Sequence, residues 1–110
     1  MKFGFIGAGN LATALVAGAS KTNFFKNNEF YAFDVFAPSL ENIASFGVNK
    51  CVSVEELINN CETVILAVKP KDFPALIKEN AATFKAKNPF IVSVAAGTDL
   101  SFIRSLYRCG

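Results

Sequence analysis

Gly7-Ala8-Gly9-Asn10-Leu11-Ala12 follows directly on the apolar run Lys2-Phe3-Gly4-Phe5-Ile6. A strand that breaks into such a turn and continues as a helix makes a site for a phosphate. The first glycine permits the tight turn, the second lets the backbone approach an anion with no Cβ in the way, and a small third residue lets the helix pack closely on the strand. Gly7, Gly9 and Ala12 fill those three positions. Unpaired N–H groups and the positive end of the helix dipole favour negative charge at the helix start. A glycine pair of this kind also occurs in turns that bind nothing, so its surroundings decide the reading. Leu15 and Val16 continue an apolar helical face, and a second apolar run, Phe30-Tyr31-Ala32-Phe33, ends on Asp34, about 20 residues past Ala12. A carboxylate there accepts hydrogen bonds from the adenosine ribose hydroxyls, which makes the whole pattern that of a dinucleotide-binding turn.

What the chain lacks narrows the chemistry further. Its 110 residues include no histidine, which removes Ser-His-Asp and Cys-His nucleophiles. Cys51, Cys61 and Cys109 are odd in number and widely spaced, with no C-x-x-C pair, so neither a metal site nor a disulfide framework is expected. They read as small apolar residues in a reducing cytoplasm. Any reaction must therefore draw on a bound cofactor or on groups outside this chain. The 11 Lys and Arg against 9 Asp and Glu are scattered, which gives no case for nucleic acid. Residues 3–6 and 63–68 are apolar runs far below bilayer-spanning length, and no secretion segment is visible, so a cytoplasmic protein is expected.

The elements that must position the turn alternate regularly. Strands are predicted at residues 2–6, 29–34, 50–52, 62–68 and 89–95, and helices at 10–20, 39–46, 54–60, 72–86 and 100–107. Gly47 stops the second helix, Ser53 with Glu56 forms a capping box for the third, and Pro74 is tolerated in the first turn of the fourth. With 52% hydrophobic residues and 12 Phe, residues 1–110 form one well-filled domain. Strands alternating with helices imply right-handed crossovers and an α/β, Rossmann-like doubly wound parallel sheet of about five strands, ordered 3-2-1-4-5.

In such a sheet the ligand lies across the carboxyl ends of the strands, where strand order reverses. The glycine turn, Ala67-Val68-Lys69-Pro70 and Ala95-Ala96-Gly97 converge there. Their small residues let a flat ring such as nicotinamide lie against backbone. Lys69 is read as contributing its backbone, with Pro70 holding it extended and shaping the loop. No side chain is singled out as a catalyst, Tyr31 and Tyr107 included. Phe24, Phe25, Phe30, Phe33 and Phe36 read as core or partner-facing residues. Asp34 repels a 2′-phosphate, and residues 35–40 contain no Arg or Lys to accept one, which favours NADH.

Three segments, Gly4 to Ala12, Val64-Ile65-Leu66-Ala67-Val68-Lys69-Pro70 and Val92-Ser93-Val94-Ala95-Ala96-Gly97-Thr98, resemble in that order the N-terminal half of pyrroline-5-carboxylate reductases. The resemblance covers nearly the whole chain. It implies an oxidoreductase of proline biosynthesis that reduces the cyclic imine to proline with NAD(P)H. It further implies that Ile6, Gly7, Ala8, Gly9, Asn10 and Leu11 hold the pyrophosphate, that Asp34 lies at the ribose and Val54 near adenine, and that Ala67, Val68 and Lys69 with Ala95, Ala96 and Gly97 flank the nicotinamide. A protonated imine is already electrophilic, so hydride transfer to it needs positioning more than a strong general acid. The chain departs from the family by stopping at Cys109-Gly110. The Arg-x-Met-Pro-Asn segment and the helical C-terminal domain that build the homo-oligomer and most of the substrate pocket lie beyond that point. The expectation is cofactor recognition without appreciable turnover by these residues alone. Two other functions share the pattern. One is a related oxidoreductase, F420-type NADP-dependent or hydroxyacid-specific, against which the Ala-Val-Lys-Pro and Ala-Ala-Gly segments argue. The other is a non-catalytic nucleotide-binding module.

Overall fold

A computed structural model of the chain describes residues 1–93. Its elements run β1 (Lys2–Ile6), α1 (Asn10–Ala19), α2 (Asn23–Lys26), β2 (Glu29–Phe33), α3 (Ala37–Ala44), β3 (Asn49–Lys50), α4 (Val54–Asn60), β4 (Thr63–Leu66), a 3-10 turn (Pro70–Asp72), α5 (Phe73–Glu79), α6 (Ala81–Lys87) and β5 (Phe90–Ser93). The strands form one sheet in the order β3-β2-β1-β4-β5, every pairing parallel. This is the Rossmann-like doubly wound arrangement expected from the alternation of elements.

The core divides across the sheet because successive strand side chains point to opposite faces. Phe5 of β1 and Phe30 and Ala32 of β2 pack on one face with Ala12 and Val16 of α1 and Ile43 of α3. On the other face Ile6, Val64, Leu66 and Ile91 pack with Leu57 and Ile58 of α4, Phe73 and Ile77 of α5 and Phe84 of α6. Gly4 has a reason beyond turn chemistry. A Cβ there would stand 2.5 Å from Leu57 Cδ2 and 2.8 Å from Cys61 Sγ, so its bare backbone lets α4 close onto β1.

The local signals at helix ends behave as their chemistry requires. Ser53 Oγ accepts from the Glu56 N–H at 3.0 Å, and Glu56 Oε1 reaches back to the Val52 N–H at 3.0 Å. Gly47, following α3, adopts φ +99°, a conformation L side chains rarely take.

Several boundaries differ from the sequence-based expectation. The helix expected over residues 72–86 is split at Asn80 into α5 and α6, after a 3-10 turn. Asn80 directs both its backbone N–H and its Nδ2 to the Leu76 carbonyl, at 3.2 and 2.9 Å, closing one helix where the next begins. Thr22 caps an unforeseen short helix, α2, by accepting from the Phe25 N–H at 3.2 Å. Helix α3 begins at Ala37 with Pro38 in its first turn, ahead of the expected start at residue 39. The second, third and fourth strands are each shorter than expected, β2 ending at Phe33 and β3 comprising only Asn49 and Lys50. The end of the fifth strand and the helix expected over residues 100–107 lie outside the described residues.

Candidate functional site

At the carboxyl end of β1 the backbone is held from both sides. The Gly7 N–H donates to the Phe33 carbonyl at 2.8 Å, and the Ala67 N–H donates to the Ile6 carbonyl at 2.9 Å, so the ends of β2, β1 and β4 lie together. Gly7 turns the chain at φ +103°, and a Cβ on it would sit 2.9 Å from the backbone of Ala67 and 3.0 Å from Val68 Cγ1. Here the fold itself demands glycine.

Gly9 has a different reason. Its φ of −77° suits any residue, and a Cβ there would meet nothing within 4 Å. What Gly9 provides is open space in front of α1. Helix α1 has no side-chain cap and no acidic residue in its first turn, and its first intrahelical bond runs from the Thr13 N–H to the Gly9 carbonyl at 2.9 Å. The N–H groups of Asn10, Leu11 and Ala12 meet no acceptor among the described residues. Orphan donors beside open space are what an anion needs.

Asp34, immediately after β2, faces the same turn. Its Oδ2 accepts from the Ala8 N–H at 2.7 Å and its Oδ1 from the Phe36 N–H at 2.8 Å. A carboxylate offers about four acceptor positions, so each oxygen retains capacity toward a ligand hydroxyl.

A cleft of about 600 Å³ opens from this point along the carboxyl edge of the sheet. Of the residues predicted from sequence, Ile6, Gly7, Asp34, Val54 and Val68 line it. Ala8 is buried beneath the turn, while Gly9, Asn10 and Leu11 stand exposed at the start of α1. Ala67 is half-buried against the Phe5 face of the core, Lys69 is exposed, and Pro70 opens the 3-10 turn. Ala95, Ala96 and Gly97 lie outside the described residues. The cleft also contains residues the sequence reading missed, chiefly Val35, Val52, Ala75, Leu76 and Glu79. Val35 and Val52 are 92% and 83% exposed, large apolar side chains left in solvent among the residues that line the cleft. A signal for them existed: each directly follows a strand's carboxyl end or the residue closing it, the same rule that selects Ala67.

Among the described residues neither cysteine lines the cleft. Cys51 and Cys61 are buried at 3% exposure, and burial, helped at Cys51 by the neighbouring Glu56 carboxylate, pushes their thiols up to about 11 and about 12. Thiols held neutral in this way are poor nucleophiles. Both are expected to resist an aromatic disulfide reagent at neutral pH until the chain unfolds; rapid labelling of either in the folded protein would contradict their burial. The same shift fixes a pH dependence. Unfolded thiols ionise near their ordinary 9.0 while the folded ones do not, so stability is full below pH 9.0 and falls as the pH rises toward 11 and 12. Denaturant midpoints measured across that range check the sign. Burial and the adjacent Glu29, which accepts from the Tyr31 hydroxyl at 3.2 Å, raise the tyrosine as well. Among the described residues no cluster of His, Cys, Asp and Glu could hold a metal, and no helix is long and apolar enough to cross a membrane.

A family model described as "NADP oxidoreductase coenzyme F420-dependent" matches residues 2–97. The chain belongs to this family. The match takes in every strand of the sheet together with the glycine turn and the cleft. Among curated relatives, pyrroline-5-carboxylate reductase 2 from Bos taurus is 32% identical over 105 residues, covering 94% of this chain and 32% of the relative. Pyrroline-5-carboxylate reductase 3 from Rattus norvegicus is 33% identical over 108 residues, covering 96% of this chain and 38% of that protein. The solved structure of a pyrroline-5-carboxylate reductase from Coxiella burnetii superposes with a TM-score of 0.84 at 24% identity, over 96% of this chain and 39% of that one. The chain thus spans about a third of the length of the curated relatives it matches. The family's description carries the F420 reading that the sequence placed second, while these relatives carry the reading it placed first.

Proposed function

We propose that this family member is the dinucleotide-binding part of an NAD(P)H-dependent reductase that converts pyrroline-5-carboxylate to proline. The observation that carries the proposal is the uncapped start of α1 behind a Cβ-free Gly9, tied through the bond from the Ala8 N–H to Asp34, which lines the cleft with Ile6 and Gly7. These residues fit a dinucleotide. The N–H groups of Asn10 and Leu11 hold the pyrophosphate, Asp34 accepts from the ribose, and Val35, Val52, Val54 and Leu76 enclose the adenine. Ala67 to Lys69, with Ala95 to Gly97, border the nicotinamide. When bound, the dinucleotide supplies hydride to the imine carbon. The chain's own part is to fix the ring's position and keep its pyrophosphate neutralised at the helix start. The imine pocket and the homo-oligomer contact belong to a second half that lies beyond the matched third of the relatives.

Calorimetric titration with NADH and NADPH, paired with an assay of imine reduction, tests the proposal. Expected are dinucleotide binding and negligible turnover by the 110 residues, with turnover restored in a chimera carrying the second half of a relative. Binding without a substrate pocket stabilises no transition state. Absence of binding by either dinucleotide would overturn the proposal. Robust turnover by the 110 residues alone would show that the substrate site is misplaced.

A further inference from the structure

We infer that the sheet face carrying Phe90 and Val92 docks a second copy of this chain, each copy laying its α1 on the open β4 and β5 of the other. This contact is separate from the one assigned above to a second half of the protein. Register fixes which residues share the face. Phe3 of β1 pairs with Thr63 of β4 and Thr63 with Phe90 of β5, while Phe5 pairs with Ile65 and Ile65 with Val92. Residues in register point to the same side of a sheet, and so do residues two apart on one strand. Phe3, Ile65, Phe90 and Val92 therefore face the way Phe5 does. The buried cluster on that side joins β1 and β2 to α1 and α3, reaches β4 only at half-buried Ile65 and Ala67, and holds no residue of β5. Val92 is half-buried and Phe90 is 64% exposed, whereas Ile91 between them, on the covered side, is 1% exposed. Parallel sheets are ordinarily covered on both faces. Two strands about 4.8 Å apart leave a strip about 10 Å wide, the width of one helix. Exposed Phe24, its ring centroid 5.4 Å from that of Phe3, extends the apolar surface.

Helix α1 supplies the complementary half. Asn10–Ala19 contains no charged residue. Ala12 and Val16 are buried against its own sheet, while Leu11, Ala14, Leu15 and Gly18 are exposed at i, i+3, i+4 and i+7, a second apolar stripe. A helix apolar on both sides has the composition of a buried one. A Cβ at Gly18 would meet nothing within 4 Å, so another sheet can approach the stripe closely. Strands β4 and β5, Thr63–Leu66 and Phe90–Ser93, are likewise without charge, so joining these surfaces desolvates none of their side chains as ions. Because stripe and open strands belong to one molecule, a two-fold axis satisfies both at once, with two α1 helices shared as a single layer between two sheets. Each ten-residue α1 covers a strip about 15 Å long. Two such strips and the sheet beneath them bury about 1,000 Å² in all, the lower edge of specific contacts, which makes the dimer weak and reversible.

Sedimentation velocity of the 110-residue chain over a dilution series tests this, with Leu15→Glu, Gly18→Gln and Phe90→Glu beside the wild type. The wild type is expected to pass reversibly from monomer to dimer as its concentration rises through the micromolar range. Each variant should raise the dissociation constant at least about tenfold. All three positions are exposed, so the variants should melt close to the wild type at monomeric concentration. A wild type that stays monomeric up to millimolar concentration overturns the inference. So does dimerisation weakened by Phe90→Glu but untouched by Leu15→Glu and Gly18→Gln, since that pattern belongs to pairing of two β5 edges. Should one α1 variant fail to fold, shown by its melting curve, the other still separates the two arrangements.

Discussion

A Gly9→Val protein is expected to melt with the wild type and to have lost at least about a hundredfold in dinucleotide affinity. The two halves of that expectation come from one geometric fact. A Cβ at Gly9 meets nothing within 4 Å, so the free fold has room for the branched side chain, and φ of −77° accepts it without strain. The room it takes is the room the pyrophosphate needs. Gly7→Val makes the contrast. At φ +103°, with Ala67 backbone 2.9 Å from its Cβ, the substitution strains the turn and pushes β4 from β1, so stability and binding fall together. Thermal melts and calorimetric titration of both variants decide it; a Gly9→Val protein with undiminished affinity would remove the glycine turn from the binding site.

Phe73→Ala is expected to cost about 3–5 kcal/mol of stability, a large part of the roughly 5–15 kcal/mol that holds a domain of this kind together. Phe73 is fully buried, the first residue of α5, and belongs to the core cluster that includes Leu57, Ile77, Phe84 and Ile91. Removing its ring leaves a cavity beneath the helix that presents Ala75, Leu76 and Glu79 to the cleft. Affinity for dinucleotide should therefore weaken as well, and saturating ligand should recover part of the lost melting temperature by mass action. Phe90→Ala, at a position 64% exposed, serves as the control and should change little. Urea unfolding measures both; a loss below about 1 kcal/mol for Phe73→Ala would mean the core closes over the gap.

Much of this architecture is legible in residues because the relevant rules are local or topological. The Ser53-Val54-Glu55-Glu56 segment announces α4 because the hydroxyl at the cap accepts from the Glu56 N–H while the Glu56 carboxylate reaches back to the N–H of Val52. The order β3-β2-β1-β4-β5 follows from alternation and right-handed crossovers, with no knowledge of side-chain packing. The break at Asn80 is not legible in the same way. Asparagine inside a helix carries only a modest penalty, and the residue's turn onto the Leu76 carbonyl competes with simple continuation. Helix α2 is too short for periodicity to register. Within the site, Gly7, Gly9 and Asp34 declare themselves by spacing. Val35 and Val52 have no such spacing; only their place just past a strand's carboxyl end marks them, and an apolar residue there is easily read as more strand. The bond from Asp34 to Ala8 spans 26 positions and belongs to no pattern along the chain.

The central position of β1 has a consequence for how the chain is made. Synthesis delivers β1 before either of the two strands that flank it, β2 on one side and β4 on the other. Its first neighbour is complete at Phe33 and its second only at Leu66, so at ribosomal speeds one row of β1 peptide groups waits roughly 2–7 s for its partner. An open apolar strand edge is a template for other chains. On a polysome that edge is open to the strands of neighbouring nascent copies, and the yield of folded protein should fall if ribosomes pause between the codons for Asp34 and Leu66.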